Sequence, residues 1–355
     1  MSRFMSDRHA ALEAYTPGEQ PRDRRYIKLN TNESPFPPSA GVLRAVETEI
    51  PNLQLYSDPE CRELNREAAA FFGVEPDEIL MTNGSDEILN FAFTAFGDEN
   101  HPFAFPEISY GFYPVFAGLH HVPYTAIPLR EDFSIAADDY VHCGQHIVIA
   151  NPNAPTGLAL PVSEIERIVA ANRDRVVVID EAYVDFGGET AIPLVKTYDN
   201  LLVTRTFSKS YSLAGARLGF GVGARDLIAD LRTIQYSTNP YNVNRMTMAA
   251  GVAALQDAAY YRENCRTIMQ NRAYTKEKLE KLGFTVTDSK ANFLFAAHPQ
   301  LDGAYLYRKL REKGILIRHF DSPAISQYNR ITVGTKEQMD ALLAAIEDIM
   351  KEGRI

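Results

Sequence analysis

The 355-residue sequence has no tryptophan, only three cysteines and no apolar run of 18 residues. The missing tryptophan decides nothing. The cysteines (Cys61, Cys143, Cys265) lie far apart and form no CxxC pair. That excludes a disulfide framework and leads us to expect a reducing, cytoplasmic setting. Without a long apolar run there is no candidate membrane-spanning helix, and the polar, charged residues 1–10 show no signal peptide. An excess of positive charge is lacking too. The formal net charge is −10, which argues against a general nucleic-acid or anionic-membrane partner but leaves room for a local basic pocket. Neither a P-loop nor a Gly-x-Ser-x-Gly elbow occurs. Gly219-Phe220-Gly221-Val222-Gly223 has the wrong spacing for a dinucleotide fingerprint and comes too late in the chain. His142 and His146 are spaced as on a metal-binding helix, but Gly144 lies between them and no third ligand is near, so no metal site is expected.

What is present is enough apolar residue, 45%, for a large core and more length than one simple core uses. Two domains are expected, preceded by an arm. Residues 1–40 form the arm, rich in proline and amides from Asn30 to Ser39. Residues 41–245 alternate short apolar runs with helical periodicity. This is the signature of an α/β domain with a mostly parallel sheet flanked by helices. Strands are expected at 79–82, 102–105, 122–127, 146–150, 175–179 and 201–204, and a helix at 225–234 followed by a polar loop through 244. Residues 246–355 change rhythm and read as a smaller α+β domain, with one strand over 316–319.

Several stretches carry chemistry. Asn83-Gly84-Ser85-Asp86-Glu87 joins a strand to a helix, so free backbone N–H groups offer an anion site. Asp86 and Glu87 suit a first helical turn and can point away from an anion; an ordinary capping turn has the same residues. Asn151-Pro152-Asn153-Ala154-Pro155-Thr156-Gly157 is a fixed loop at a strand's C-terminal end, where open α/β sheets place ligands. Asp180 closes the buried run Val176–Ile179. A carboxylate there is costly unless it meets a cation or donors; a helix cap or salt bridge would serve, and so would a protonated ring nitrogen. After Leu201–Arg205 comes Thr206-Phe207-Ser208-Lys209-Ser210, with Arg217 eight residues beyond the lysine. Ser-Lys-Ser alone also describes a solvated loop. A lysine amine held in such a turn can instead form a Schiff base and move protons. Tyr56 reads either as a packing aromatic or as a contact made elsewhere.

In this order and spacing, Gly84–Glu87, Asn151–Gly157, Asp180–Tyr183, Thr206–Lys209 and Arg217 resemble the fold-type I pyridoxal-phosphate aminotransferases. The likeness extends over nearly the whole chain through Tyr15–Glu19, Leu29–Phe36, Pro240–Asn244 and Arg330–Gly334. It is greatest to members that take L-histidinol phosphate as amino donor and 2-oxoglutarate as acceptor. A threonine-phosphate decarboxylase-like enzyme, a broad aromatic or aliphatic aminotransferase and a non-catalytic pyridoxal-phosphate-binding regulator are the alternatives.

The resemblance implies pyridoxal 5'-phosphate as cofactor and a role for each matching residue. Lys209 would carry it as a Schiff base and shuttle the proton. Asp180 would pair with the ring nitrogen, Tyr183 with the ring hydroxyl, and Tyr110 would stack on the ring. Gly84, Ser85, Asp86, Ser208 and Arg217 would hold the phosphate, with Tyr56 reaching it from a second subunit of a homodimer with shared sites. Arg330 and Arg318 would bind the substrate's anionic group, and Tyr15 and Asn32 would close the pocket. The family's loop usually carries a second asparagine where this chain has Ala154, so the ring hydroxyl would rely on Tyr183, with Asn153 or water as a further contact.

Overall fold

The computed structural model describes residues 2–353. The arm contributes one short strand, β1 (Ile27–Lys28). Then follow α1 (Ala40–Glu49), α2 (Arg62–Phe72), β2 (Ile79–Thr82), α3 (Ser85–Phe96), β3 (Phe103–Pro106), α4 (Phe112–His120), β4 (Tyr124–Ile127) and β5 (His146–Ala150). Next come α5 (Val162–Ala171), β6 (Val177–Asp180), β7 (Leu201–Thr206), β8 (Gly219–Gly223), α6 (Arg225–Thr238), α7 (Arg245–Gln256) and α8 (Ala258–Lys281). The C-terminal part holds β9 (Thr285–Val286), β10 (Phe293–Ala297), α9 (Gly303–Glu312), β11 (Ile315–Leu316), β12 (Arg318–His319), β13 (Asn329–Thr332) and α10 (Lys336–Glu352).

Seven strands form the main sheet in the order β2-β8-β7-β6-β5-β3-β4. β3 to β7 run parallel, and β8 lies antiparallel to both its neighbours. The central strands are mostly apolar and buried at every position, because both sheet faces are covered. Their side chains alternate between two cores. Ile147, Ile149, Val177, Ile179, Leu201 and Val203 pack on one side, and Val148, Val178 and Leu202 on the other. The register sets Ala150 opposite Asp180 and Asp180 opposite Thr204. β5 and β6 therefore end together, β7 runs two residues further to Thr206, and the loops after all three gather at one edge of the sheet.

The Gly-x-Gly-x-Gly run has a packing origin. It is β8, pressed against the start of α3. A Cβ on Gly219 would lie 2.4 Å from the Ser85 nitrogen, and one on Gly221 2.8 Å from Ile88. The alternate glycines let the sheet approach the backbone of the turn that carries Gly84.

Three expectations change. α6 continues four residues past Ile234, because Gln235 is buried and its amide donates to Asn242. The run 316–319 is two short strands in different sheets: β11 pairs with β1 of the arm, and β12 pairs with β13. The change of rhythm at 245 is not where the cores divide. Ala250, Ala254, Leu255 and Tyr261 still pack with the first core, whereas Cys265 and Ile268 belong to the C-terminal one. The C-terminal core also takes in Leu29 of the arm and Ala154 and Tyr183 from the sheet-edge loops, so arm, sheet edge and C-terminal part meet at one place.

Candidate active site

Two adjoining cavities open at that edge. The inner one, about 250 Å³, is lined by residues that include Ser85, Asp86, Asp180, Ser208, Lys209 and Arg217. The outer one, about 300 Å³, is lined by residues that include Tyr15, Asn32, Ser109, Arg318, Phe320 and Arg330. Thr31, Tyr110, Ala154, Tyr183 and Lys209 border both. Lys209 thus stands at the junction. Its Nζ has one weak contact, 3.4 Å from the Thr31 carbonyl oxygen, and lies 5.8 Å from the centre of the Tyr183 ring.

The inner cavity's polar groups fall into two sets. At one end, Gly84 caps α3 with φ +83°. A Cβ there would sit 2.5 Å from Arg217 Nη2, so only glycine leaves room for the guanidinium over the helix N-terminus. Arg217 itself has a left-handed backbone, φ +57°, and its Nη1 donates to Ser208 Oγ at 3.3 Å. Helix N–H groups, a hydroxyl and a guanidinium converge there, the donor set that suits a phosphate. Glu87 turns away to accept from the Asn83 N–H and the Asn242 amide. Asp86 does not turn away: its carboxylate pairs with Arg217 Nη2 at 3.1 Å and accepts from the Tyr110 hydroxyl at 2.7 Å.

At the other end is Asp180, 4% exposed. It accepts from Tyr113 Oη at 2.9 Å, Thr204 Oγ1 at 3.3 Å and the Ala182 N–H at 3.3 Å. No cation pairs with it among the described residues. Burial raises its pKa from 3.8 to about 6, the Asp86 charge adds to that, and the three donors oppose it. An isolated carboxylate facing a cavity fits a cationic ring nitrogen, which would supply the missing charge.

Tyr183 Oη accepts from Asn32 Nδ2 at 3.0 Å, which leaves its own proton to donate. Asn32, in a left-handed turn with φ +56°, is fixed by Thr332, whose hydroxyl lies 2.9 Å from its N–H and donates to its Oδ1 at 3.0 Å. The outer cavity is basic. Arg330 Nη2 donates to the Asn30 carbonyl at 3.0 Å, while its buried Nε has no partner. Phe293 and Phe320 flank the guanidinium carbon at 5.4 and 5.9 Å, and burial lowers its pKa. Arg318 reaches only the carbonyl oxygens of Thr16 and Pro17. Neither arginine meets a carboxylate among the described residues. Tyr15 stacks on Phe112 at 4.3 Å and closes the arm over the opening.

The expected site residues therefore gather, with two exceptions. Asn153 is spent within its own loop: its amide donates to the Ile108 carbonyl and to Thr156, and its oxygen accepts from Ser109. It borders neither cavity, and its side chain is engaged within the loop rather than turned to the site. Tyr56 is 79% exposed and stacks on Tyr241, away from both cavities of this chain. Thr31, Tyr113 and Thr204 join the site unforeseen. Thr204 left a signal: a hydroxyl that directly follows the apolar run Leu201–Val203. Tyr113 and Thr31 left none that separates them from packing residues.

The sequence as a whole matches known proteins. A family model, aminotransferase class I and II, spans residues 24–346. A histidinol-phosphate aminotransferase of Brachyspira hyodysenteriae is 47% identical over 99% of this chain and 100% of its own length. One of Pseudomonas putida is 48% identical over 98% and 100%. The fold is that of the histidinol-phosphate aminotransferase from Sinorhizobium meliloti, solved in complex with pyridoxal-5'-phosphate (TM-score 0.85, 24% identity, covering 93% of this chain and 92% of that one).

The raised pKa of Asp180 makes a stability prediction. In the unfolded chain the carboxyl ionises near 3.8, in the folded one near about 6. The folded state therefore holds the extra proton, and Asp180 costs stability as pH rises between those values. Asp180→Asn, free of cofactor, should gain stability relative to the parent from pH 4 to 6 and level off above. Denaturant melts across that range check this; a difference independent of pH would show that Asp180 does not titrate there.

Proposed function

Because the chain belongs to the class I and II aminotransferases, we propose that it transfers the amino group of L-histidinol phosphate to 2-oxoglutarate, giving imidazole acetol phosphate and L-glutamate, a step of histidine synthesis. The observation that carries this reading is the pair of cavities meeting at Lys209, one ending in a phosphate-type cradle and the other in two arginines without acid partners. Pyridoxal 5'-phosphate fits the inner cavity, and when bound it supplies an aldehyde that condenses with amines and a ring that accepts carbanion charge. The backbone N–H groups of Ser85 and Asp86, the Ser208 hydroxyl and the Arg217 guanidinium would hold its phosphate. Asp180 would keep a proton on its ring nitrogen, and Tyr183, oriented by Asn32, would donate to its ring hydroxyl. Tyr110 would cover the ring face.

Lys209 Nζ is the amine that binds the cofactor and, once released, carries the proton taken from the donor's Cα. Arg330 and Arg318 receive the donor's phosphate and, in the second half of a ping-pong cycle, a carboxylate of the acceptor. Tyr15 and the arm exclude water over the outer cavity.

The enzyme works as a homodimer in this reading. Tyr56 lies beside exposed Ile50, Leu53 and Leu55, and α1 exposes Leu43. An apolar surface of this kind suits burial against a second copy. Tyr56 would there reach the partner's phosphate site. Three unpaired cysteines suit the cytoplasm.

Mixing the cofactor-loaded enzyme with single amines tests the reaction. Histidinol phosphate should convert the bound cofactor's absorbance to that of pyridoxamine phosphate, with no carbon dioxide released, and Lys209→Ala should abolish turnover. A response to aromatic amino acids alone would replace the substrate assignment; carbon dioxide release would make the enzyme a decarboxylase. Arg330→Ala should raise KM for histidinol phosphate at least about ten-fold, as expected for a lost charge-assisted contact. An unchanged KM would remove it from the binding site. Sedimentation should give twice the 39.7 kDa chain mass; a fully active monomer would rule out shared sites.

A further inference from the structure

Lys209 and Asp180 are each followed in the chain by a buried polar residue that borders neither cavity. Ser210 is 4% exposed and Glu181 1%. The two belong to one network. Ser210 Oγ donates to Asp185 Oδ2 at 2.5 Å, and Arg205 Nη2 pairs with Asp185 Oδ1 at 2.5 Å. Arg205 Nη1 lies 3.5 Å from Glu181 Oε2, and Thr190 and the Ala191 N–H also donate to the Glu181 carboxylate at 2.7 and 2.6 Å. On β7 the neighbours Thr204 and Thr206 reach Asp180 and Ser208, so alternation turns Arg205 to the opposite side of the strand.

We propose that Arg205, through Asp185 and Ser210, is a positioning residue that fixes Lys209 relative to Asp180 and Tyr183. The proposal rests on Lys209 being the cofactor-binding amine. Among the described residues Lys209 Nζ has only the 3.4 Å contact to Thr31, so its place is set by its backbone, which is tethered on one side by Ser208, held by Thr206 and Arg217, and on the other by Ser210, held by Asp185. Asp185 stands two residues after Tyr183, in the turn Val184–Phe186. One guanidinium thus ties the lysine loop to the segment that carries Asp180 and Tyr183. Stability alone does not call for such a network, since apolar side chains of similar volume serve a core as well. A fixed geometry is what it provides. The short pair goes to Asp185, which holds Ser210. Glu181, whose pKa burial raises to about 7 against the opposing Arg205 charge, has its shortest contacts from Thr190 and the Ala191 N–H.

Cofactor-free parent, Ser210→Ala and Asp185→Asn are mixed with pyridoxal phosphate. Capture at Lys209 is followed by absorbance and located by borohydride reduction and peptide mapping. The same proteins are then assayed for amino transfer. In folded variants the capture rate and kcat should each fall about ten-fold, the scale of a misplaced reacting group, while both KM values stay within about two-fold. Unchanged capture and kcat would overturn the proposal, as would a KM that rises in step with the loss of kcat, or failure of both variants to fold. A parent that does not take up the cofactor at Lys209 would overturn the functional reading instead.

Discussion

The carboxylate of Asp180, held at the end of a covered strand with only neutral donors, is the constraint from which the site is built. Removing such a charge from water costs several kcal/mol. Each hydrogen bond from a neutral donor to it returns about 1.5–3 kcal/mol. Tyr113, Thr204 and the Ala182 N–H therefore bring the charged form close to balance without securing it, which is why the pKa rises to about 6 rather than out of the titratable range. A cation placed in the inner cavity tips that balance. The parallel register makes the arrangement possible, because it sets Asp180 between Ala150 and Thr204 and so supplies one donor and one small neighbour.

Two buried acids stand side by side in the chain and are treated differently. Glu181 has a guanidinium within reach at 3.5 Å and two neutral donors; Asp180 has no cation among the described residues. Successive residues leaving a strand point to opposite sides, so one carboxylate serves the cavity and the next serves the scaffold behind it. Arg205 and Thr204 repeat the division on β7. At the ends of these two strands the acid that faces the cavity has no cation among the described residues, and the acids behind it share Arg205.

Much of this was legible in the sequence because it lay in short segments. The apolar runs of β5, β6 and β7 mark parallel strands covered on both faces. Lys209, Asp180, Gly84 and Arg217 each sit at a strand end or turn, where position follows from the neighbours. What was not legible depends on distant partners. That Asn153 gives its amide to Ile108 and its oxygen to Ser109 follows from a segment 44 and 45 residues away. The split of 316–319 into two strands follows from β1, which lies far away in sequence. The shared core of arm, edge loops and C-terminal part could not be read from any one of them.

That shared core gives the outer cavity its character. Leu29, Ala154 and Tyr183 pack with Phe293 and Ile331, so the strand pair that carries Arg330 is braced against the segment that carries Tyr183. Arg330 is half-buried with a buried, orphaned Nε, and the Phe293 and Phe320 rings flank its guanidinium. Burial without an acid partner lowers its pKa, yet a guanidinium retains its proton throughout the working range. The charge therefore stays, poorly solvated and half-bonded, and an anion that enters meets donors that give up little water to receive it. Lys209 faces the same cavity from the other end. An anionic substrate held at the arginines thus has its length measured against the lysine, and selectivity among anions becomes a matter of the span between two fixed ends.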